Sequence, residues 1–133
     1  MRERGLSEAD VDAAVDRALN EGLLDDPAFV KLWIEDRLLH RPLARAAVRR
    51  ELLDLGADAT LVADQLDRLY PEARELPVAL ALARKRLARV QSVERDRRIA
   101  RVVAFLVRRG FARGAAVRAA RAAEEEETSD DTP

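Results

Sequence analysis

The sequence predicts an all-α protein built from a row of helical units, and three observations carry this prediction. Ala, Leu and Arg dominate, and the five Gly and five Pro residues lie nearly all at predicted helix ends, which leaves long helix-forming runs. No window alternates Val, Ile, Thr and Tyr as a β-strand would. A helix–glycine–helix pattern recurs around Gly5, Gly56 and Gly110, at spacings of 51 and 54 residues.

The first predicted helix begins after Ser7 and ends at Gly22. Ser7 and Asp10 have the spacing of a capping box, in which the serine hydroxyl accepts from the Asp10 amide. Leu6 and Val11 have the spacing of a hydrophobic staple across this cap. Helical periodicity predicts one apolar stripe on this helix, formed by Val11, Val15, Ala18 and Leu19.

The second helix is predicted to be the most buried of the protein. Asp26 is a favoured N-cap residue, and Pro27 suits the first helical position, where its missing amide has no partner to lose. Phe29 and Trp33 lie four residues apart, so they share one side of the helix with Val30 beside them. The segment His40-Arg41-Pro42 ends this helix.

The third helix is predicted from about Leu43 to Leu55, where Gly56 ends it, and the fourth from Asp58 to Leu69. The third buries Ala44, Ala47, Val48, Leu52 and Leu55. Its exposed face is predicted to carry three basic residues at four-residue spacing, Arg41, Arg45 and Arg49. Asp58 caps the fourth helix, whose inward residues are Val62, Leu66 and Leu69 and whose staple pair is Ala57 and Val62.

Three more helices are predicted after Pro71. Because Pro77 is tolerated in a first turn and costly in a helix interior, the fifth helix is placed from about Leu76 to Val90. The sixth spans about Val93–Arg109, with Arg97, Arg101 and Arg108 outward, and buries Ile99, Val102, Val103 and Leu106. Gly110 ends it. Phe111 and Ala116 form the staple of a seventh helix that reaches about Glu124.

Each complete unit therefore holds three helices, which predicts a division of the chain. Residues 1–22 are the last helix of a first repeat, and the expectation is that its two preceding helices are missing. Residues 23–70 form the first complete repeat, residues 71–123 form the second, and residues 124–133 are a disordered acidic tail.

The net charge of −1 hides a strong asymmetry along the chain. Residues 1–83 carry 11 basic and 17 acidic side chains, residues 84–121 carry 13 basic and 2 acidic, and residues 122–133 add six acids. Such a distribution indicates a charged partner or filament. The acidic tail either folds back onto the basic segment as an internal competitor or aids solubility, and solubility is the preferred interpretation.

The composition also limits the kinds of chemical site that the protein can contain. The absence of Cys excludes disulfides, thiolate nucleophiles and Cys-based zinc sites, and suits a reducing cytoplasm. Neither a signal peptide nor a membrane-spanning run is expected. Without a phosphate-binding glycine loop, a His/Cys ligand set or a nucleophile–base pair, no enzymatic activity, cofactor or metal is predicted.

Individual residues fit structural roles better than catalytic ones. Asp25 and Asp26 lack converging partners, so Asp26 is interpreted as an N-cap with Asp25 near the positive end of the helix dipole. His40, the only histidine, is placed at the surface, and Phe29 and Trp33 are assigned to the core rather than to base stacking.

The ordered set of motifs resembles one known family. Gly22-Leu23-Leu24-Asp25-Asp26, followed by Phe29-Val30, Trp33 and Arg37, resembles the signature of RecX-type regulators of the RecA recombinase. Leu52 and Gly56, and later Leu106-x-Arg108-Arg109-Gly110-Phe111, agree with it, and the match covers about Arg4 to Ala123. The sequence departs from the family pattern in its shortened first repeat, at His40-Arg41-Pro42, and in its Ala-rich last helix.

The resemblance implies an elongated, curved row of tandem three-helix bundles. RecX-type proteins lie in the groove of the RecA–DNA filament and limit its growth, ATP hydrolysis, strand exchange and co-protease activity, and some also bind DNA. A monomer is expected. The alternatives are a stand-alone helical DNA-binding protein that contacts phosphates through the basic half, and a helical interaction adaptor.

From Arg84 to Arg113, a run with so few acids repels itself unless a polyanion or an acidic surface lies opposite. For Arg41, Arg45 and Arg49, with Glu51 and Asp54 nearby, a solvated helix face is the alternative. The candidate binding residues are all basic. They are Arg41, Arg45, Arg49, Arg84, Lys85, Arg89, Arg97, Arg101, Arg108, Arg109 and Arg113. The residues assigned to the architecture are Asp26, Phe29, Trp33, Gly56, Gly110 and Phe111.

Overall fold

A computed structural model describes residues 7–90 and 94–130, and confirms an all-α fold over these residues. The chain divides into two compact units, Met1–Glu72 and Ala73–Pro133. Within the described ranges the helices are α1 (Glu8–Glu21), α2 (Pro27–Leu39), α3 (Arg45–Leu55), α4 (Ala59–Leu69), α5 (Glu72–Arg89), α6 (Arg95–Arg108) and α7 (Arg113–Asp130). Gly5, Leu6 and Val93 lie outside them, so the Leu6–Val11 staple and the predicted start of the sixth helix are not described.

Helix α2 is the centre of the first unit, where it packs on α1, α3 and α4. Its Val30 and Ile34 are completely buried, and burial of an aliphatic side chain of this size stabilises by about 1.5–3 kcal/mol. The rest of this core consists of Val11, Ala18, Phe29, Trp33, Ala44, Val48, Leu52, Ala57, Val62, Leu66 and Tyr70. The prediction that α2 is the most buried helix is confirmed.

The predicted helix ends are confirmed where a local signal marks them. Ser7 and Asp10 form a complete capping box, and the carboxylates of Asp26 and Asp58 accept from backbone amides of α2 and α4. Gly56 and Gly110 follow α3 and α6 with φ of 107° and 97°. A side chain would be strained in this left-handed region, which explains glycine at both helix ends.

Two details of the first unit differ from the predictions. Leu19 is 46% exposed and Val15 half-buried, because α1 packs mainly on α2 and buries only the narrow stripe of Val11 and Ala18. Helix α3 begins at Arg45, with Ala44 as its N-cap, and Ala47 and Leu55 are only half-buried.

The prediction that the fifth helix starts near Leu76 is wrong, since α5 begins at Glu72 and contains Pro77. Proline at this position removes the amide that would donate to the Ala73 carbonyl. Both Pro77 and Ala73 are exposed, so the lost bond lies at the surface of α5, and the helix continues through Pro77.

The prediction that the seventh helix ends at Glu124 is also wrong. Helix α7 continues to Asp130, so residues 124–130 are helical rather than disordered, and only residues 131–133 of the predicted tail lie outside the described part. Helix α7 packs on α6 along a face of small buried residues, Ala116, Ala119, Ala120 and Ala123. Their small size lets the two helices approach closely, and basic side chains then hold the acidic end.

Candidate partner-binding surface

The second unit brings together most of the predicted basic residues. Arg84, Lys85 and Arg89 are exposed on α5, and Arg97, Arg101 and Arg108 are exposed on α6. Arg113 is exposed at the first position of α7. These seven residues are called here the exposed basic residues of the second unit. Apart from Arg84, none of them has an ion pair with any residue of the described ranges.

Arg109 differs from these seven because it is half-buried against an aromatic ring. The guanidinium carbons of Arg109 and Arg86 each lie 4.8 Å from the centroid of the Phe105 ring. Cations over a ring in this way gain about 0.5–2 kcal/mol, depending on solvation. Arg86, on α5, therefore connects α5 to α6. Arg109, at the end of α6, contacts the same Phe105 ring.

The acidic end of α7 neutralises part of the basic segment. Glu126 receives two hydrogen bonds from Arg84, at 2.7 and 2.8 Å. Glu127 receives one from Arg98, whose other terminal nitrogen lies 3.4 Å from Glu124. Arg98 also donates to the carbonyl of Val90. The acidic segment therefore contacts α5 and α6 through specific side-chain pairs.

These contacts shift the titration of one pair. The hydrogen bonds between Arg84 and Glu126 raise the pKa of the guanidinium and lower the pKa of the carboxyl, with Coulombic attraction acting in the same direction. Both side chains are solvent-exposed, so the shift marks a specific geometry and is not a measure of stability. Unlike the exposed side chains of Arg84 and Glu126, Glu124 is buried, with only 4% of its surface exposed.

An open groove of about 970 Å³ lies between α6 and α7. Its floor is apolar, with Ile99, Val103 and Val107 from α6 and Val117 from α7. Four arginines line it, Arg95, Arg108, Arg113 and Arg121, together with the acids Asp96 and Glu125. Of the predicted site residues, the groove brings together Arg108 and Arg113 and leaves Arg97 and Arg101 outside.

In the first unit, the prediction that Arg41, Arg45 and Arg49 share one exposed helix face is wrong. Arg45 lies largely inside, where its Nε donates to the carbonyl of Tyr70 and its Nη2 lies 3.2 Å from Asp67. Arg41 precedes α3 and Arg49 is exposed on it. The chain turns back after α4 and places acceptors opposite Arg45, so this arginine holds the end of α4.

Trp33 is enclosed by its neighbours. Its indole Nε1 donates to Glu51 at 3.0 Å, and the guanidinium carbon of Arg37 lies 4.4 Å from its ring centroid. Arg37 also pairs with Asp36 and Glu51, and the Phe29 ring lies 6.1 Å away. These contacts cover the indole, which agrees with its assignment to the core.

Several functional contacts were missed from the sequence. Asp25 accepts a hydrogen bond of 2.7 Å from the amide of Asp58, so it ties the loop before α2 to the start of α4. Arg95, Arg98 and Arg121 were not among the predicted residues. They alternate with the predicted arginines along α6 and α7, and the sequence gives no signal of which of them pairs with an acid, because the pairing depends on where the end of α7 lies.

No group of three or more His, Asp or Glu side chains is placed to hold a metal ion among the described residues. None of the described helices is both long and apolar enough to cross a membrane.

The fold and this surface define an all-α protein whose second unit concentrates basic side chains around a groove. Curated proteins named "Regulatory protein RecX" are similar to it. One from Streptomyces coelicolor is 35% identical over 98% of this chain and 69% of its own length, and one from Thermobifida fusca is 35% identical over 91% and 65%. One from Mycobacterium avium is 32% identical over 87% and 67%.

The chain therefore belongs to the RecX family of regulatory proteins, as the motifs indicated. It spans about two thirds of the length of these curated relatives. No family model and no solved structure matches the chain.

Proposed function

We propose that this protein regulates RecA by binding the RecA–DNA filament, and that it limits filament growth, ATP hydrolysis and strand exchange by occupying the filament groove. The observation that carries the proposal is the similarity to the Streptomyces coelicolor regulatory protein, which extends over 98% of this chain. Regulation by occupation needs no chemistry of its own, and the protein acts as a monomeric, non-enzymatic binder in the cytoplasm.

The exposed basic residues of the second unit supply the electrostatic part of this binding. A RecA–DNA filament is a polyanion along its DNA, and unpaired arginines gain most from such a partner because no internal ion pair must be broken first. Arg97, Arg101, Arg108 and Arg113 have no ion pair within the described part of the chain, so each is available to the DNA of the filament or to an acidic surface of its protein. Arg41 and Arg49 are secondary candidates on the first unit.

The repeat organisation predicted from the sequence is part of the same proposal. Helix α1 is the last helix of a first repeat, α2–α4 form the first complete repeat, and α5–α7 form the second. The compact units Met1–Glu72 and Ala73–Pro133 separate close to the proposed boundary at residue 70. A row of such units suits a long groove, because each unit can contact a successive part of the filament.

A stand-alone DNA-binding protein is the second candidate. The strongly basic segment 84–121 favours it. Against it, Arg84 and Arg98 are already paired with Glu126 and Glu127, so part of the positive charge is neutralised inside the unit. We therefore expect weak, salt-sensitive binding to naked DNA and tighter binding to the filament.

Two measurements separate these functions. Affinity for bare single-stranded DNA and for a preassembled RecA–DNA filament is measured across a salt titration, and RecA's ATP hydrolysis is followed with the protein added. Tighter binding to the filament, together with slowed hydrolysis, supports regulation of RecA. Equal affinity for both, with unchanged hydrolysis, supports the stand-alone DNA-binding protein instead.

A further inference from the structure

The α6–α7 groove presents an apolar face without a helix packed on it. Val107 is 43% exposed, and Ile99 and Val117 are half-buried. Ala100 and Ala104, which also line the groove, are exposed on the adjacent line of α6. The spacing of 99, 103 and 107 places these three side chains one above another on a single face. Val103 is 8% exposed and forms the floor of the groove, so the apolar surface open to a partner is that of Val107 and part of Ile99 and Val117.

This face points away from α5. Phe105 and Arg109 contact Arg86, and Arg98 contacts Val90, so α5 and the chain just after it lie on one side of α6. Residues 99, 103 and 107 lie roughly opposite on the helix circumference, at about 100° per residue. The side of α6 that carries the groove is therefore not covered by α5.

The charge around the groove defines what can occupy it. Arg108, Arg113 and Arg121 have no ion pair within residues 7–90 and 94–130, and Arg95 lies 3.8 Å from Glu124. Besides these four arginines, the groove lining contains only two acidic residues, Asp96 and Glu125. An occupant that covers the apolar stripe must bring carboxylates along both margins to pair with the arginines.

We propose that the α6–α7 groove docks an acidic amphipathic helix of the protein partner. Residues 95–108 of α6 extend over about 20 Å at 1.5 Å per residue, which matches a helix of three to four turns. Apolar residues of such a helix cover the Ile99–Val107 stripe, as in other helix-in-groove complexes. Its flanking Asp and Glu side chains meet Arg108 and Arg113 at one end and Arg95 and Arg121 at the other.

A nucleic acid suits this groove less well. A phosphate backbone satisfies the arginines and leaves the apolar stripe without an apolar partner, whereas an amphipathic helix satisfies both. The inference rests on the proposed function, because it assigns the protein part of RecA filament recognition to this groove. It leaves DNA contacts to basic residues outside the groove, such as Arg97 and Arg101.

The test compares single variants by their affinity for a preassembled RecA–DNA filament. Val107→Gln removes apolar contact without changing charge, and its control is Leu19→Gln, on α1 with a similar exposure of 46%. Arg113→Glu reverses charge at the groove, and its control is Arg118→Glu, exposed on the same helix and outside the groove. Arg113 is the first residue of α7, where a carboxylate favours the helix, and far-UV circular dichroism checks folding of all four.

We expect Val107→Gln and Arg113→Glu each to weaken filament binding about tenfold, which corresponds to about 1.4 kcal/mol. Both controls should stay within about twofold of the parent protein, and Val107→Gln should bind bare DNA as the parent does. Unchanged filament affinity of the folded groove variants overturns the groove assignment while the proposed function stands. If Val107→Gln loses affinity for bare DNA as strongly as for the filament, the occupant of the groove is a nucleic acid, which overturns the inference. A parent protein that does not prefer the filament contradicts the proposed function itself.

Discussion

Arg84 on α5 and Glu126 on α7 form a pair joined by two hydrogen bonds, although 42 residues separate them in the chain. The guanidinium meets the carboxylate through Nε and Nη2, a geometry that fixes both side chains better than a single contact does. This pair ties the acidic end of α7 to a helix that precedes it by two elements. The acidic residues Glu124, Glu126 and Glu127 are therefore a structured part of the second unit.

The attachment of this acidic end should depend on pH. The pKa of Glu126 is lowered from its ordinary value of 4.5 in the folded protein, so the pair contributes above the unfolded pKa. That contribution is lost as pH falls through the lowered value. We expect amide hydrogen exchange around residues 126–128 to accelerate below pH 4.5 relative to the middle of α7. Glu126→Gln should remove this pH-dependent change, whereas Glu125→Gln should keep it.

Neutralising the acidic end should strengthen binding to naked DNA. In the double variant Glu126→Gln with Glu127→Gln, Arg84 loses its charged partner and Arg98 loses Glu127 while Glu124 stays 3.4 Å away, so both become more available to phosphates. We expect the slope of log affinity against log salt on single-stranded DNA to steepen by about 0.7 per released arginine. Glu125→Gln changes charge next to them without releasing either arginine, so its slope should stay close to that of the parent. A slope unaffected by the double variant would mean that these arginines do not reach DNA.

Replacing Trp33 should test the core of the first unit. Trp33 is 8% exposed, is covered by Phe29 and Arg37, and donates to Glu51. We expect Trp33→Ala to lower the free energy of unfolding by about 3–5 kcal/mol, measured in urea. Trp33→Phe should cost less, since it keeps most of the ring and loses mainly the bond to Glu51. An unchanged unfolding midpoint for Trp33→Ala would contradict the core assignment.

Arg45 and Arg49 offer a matched pair on one helix. Arg45 donates to the carbonyl of Tyr70 and pairs with Asp67, whereas Arg49 is exposed and has no ion pair among the described residues. We expect Arg45→Ala to destabilise by about 1–3 kcal/mol, because it leaves the Tyr70 carbonyl without this donor. Arg49→Ala should lie within about 0.5 kcal/mol of the parent. Equal unfolding energies of the two variants would contradict the structural role of Arg45.

Much of the helix content and most helix ends were predictable because their signals are local. The capping box of Ser7 and Asp10, the N-caps Asp26 and Asp58 and the left-handed Gly56 act within three or four residues of themselves. Pro77 led to a wrong predicted start of the fifth helix because its signal is local as well. Its local cost is real, but its exposure, which only the folded unit determines, places the bond that proline removes at the surface of α5.

The candidate site was predictable only in outline. The count of basic residues in segment 84–121 located the charge on the second unit, and the order of motifs indicated the RecX family. Spacing along a helix could not distinguish Arg113, which lines the groove, from Arg84, which meets Glu126. Arg45 shows the same limit, since its acceptors lie 22 and 25 residues further along the chain.

The sequence by itself determined the all-α class, the caps that begin and end the helices, and the uneven distribution of charge. Each of these follows from interactions between near neighbours or from composition. Only the tertiary structure decided which arginines are paired, that residues 124–130 continue α7, and that an apolar groove opens between α6 and α7. The physical reason is that ion pairs and grooves form between helices, and their geometry depends on how closely the buried alanines of α7 let it approach α6.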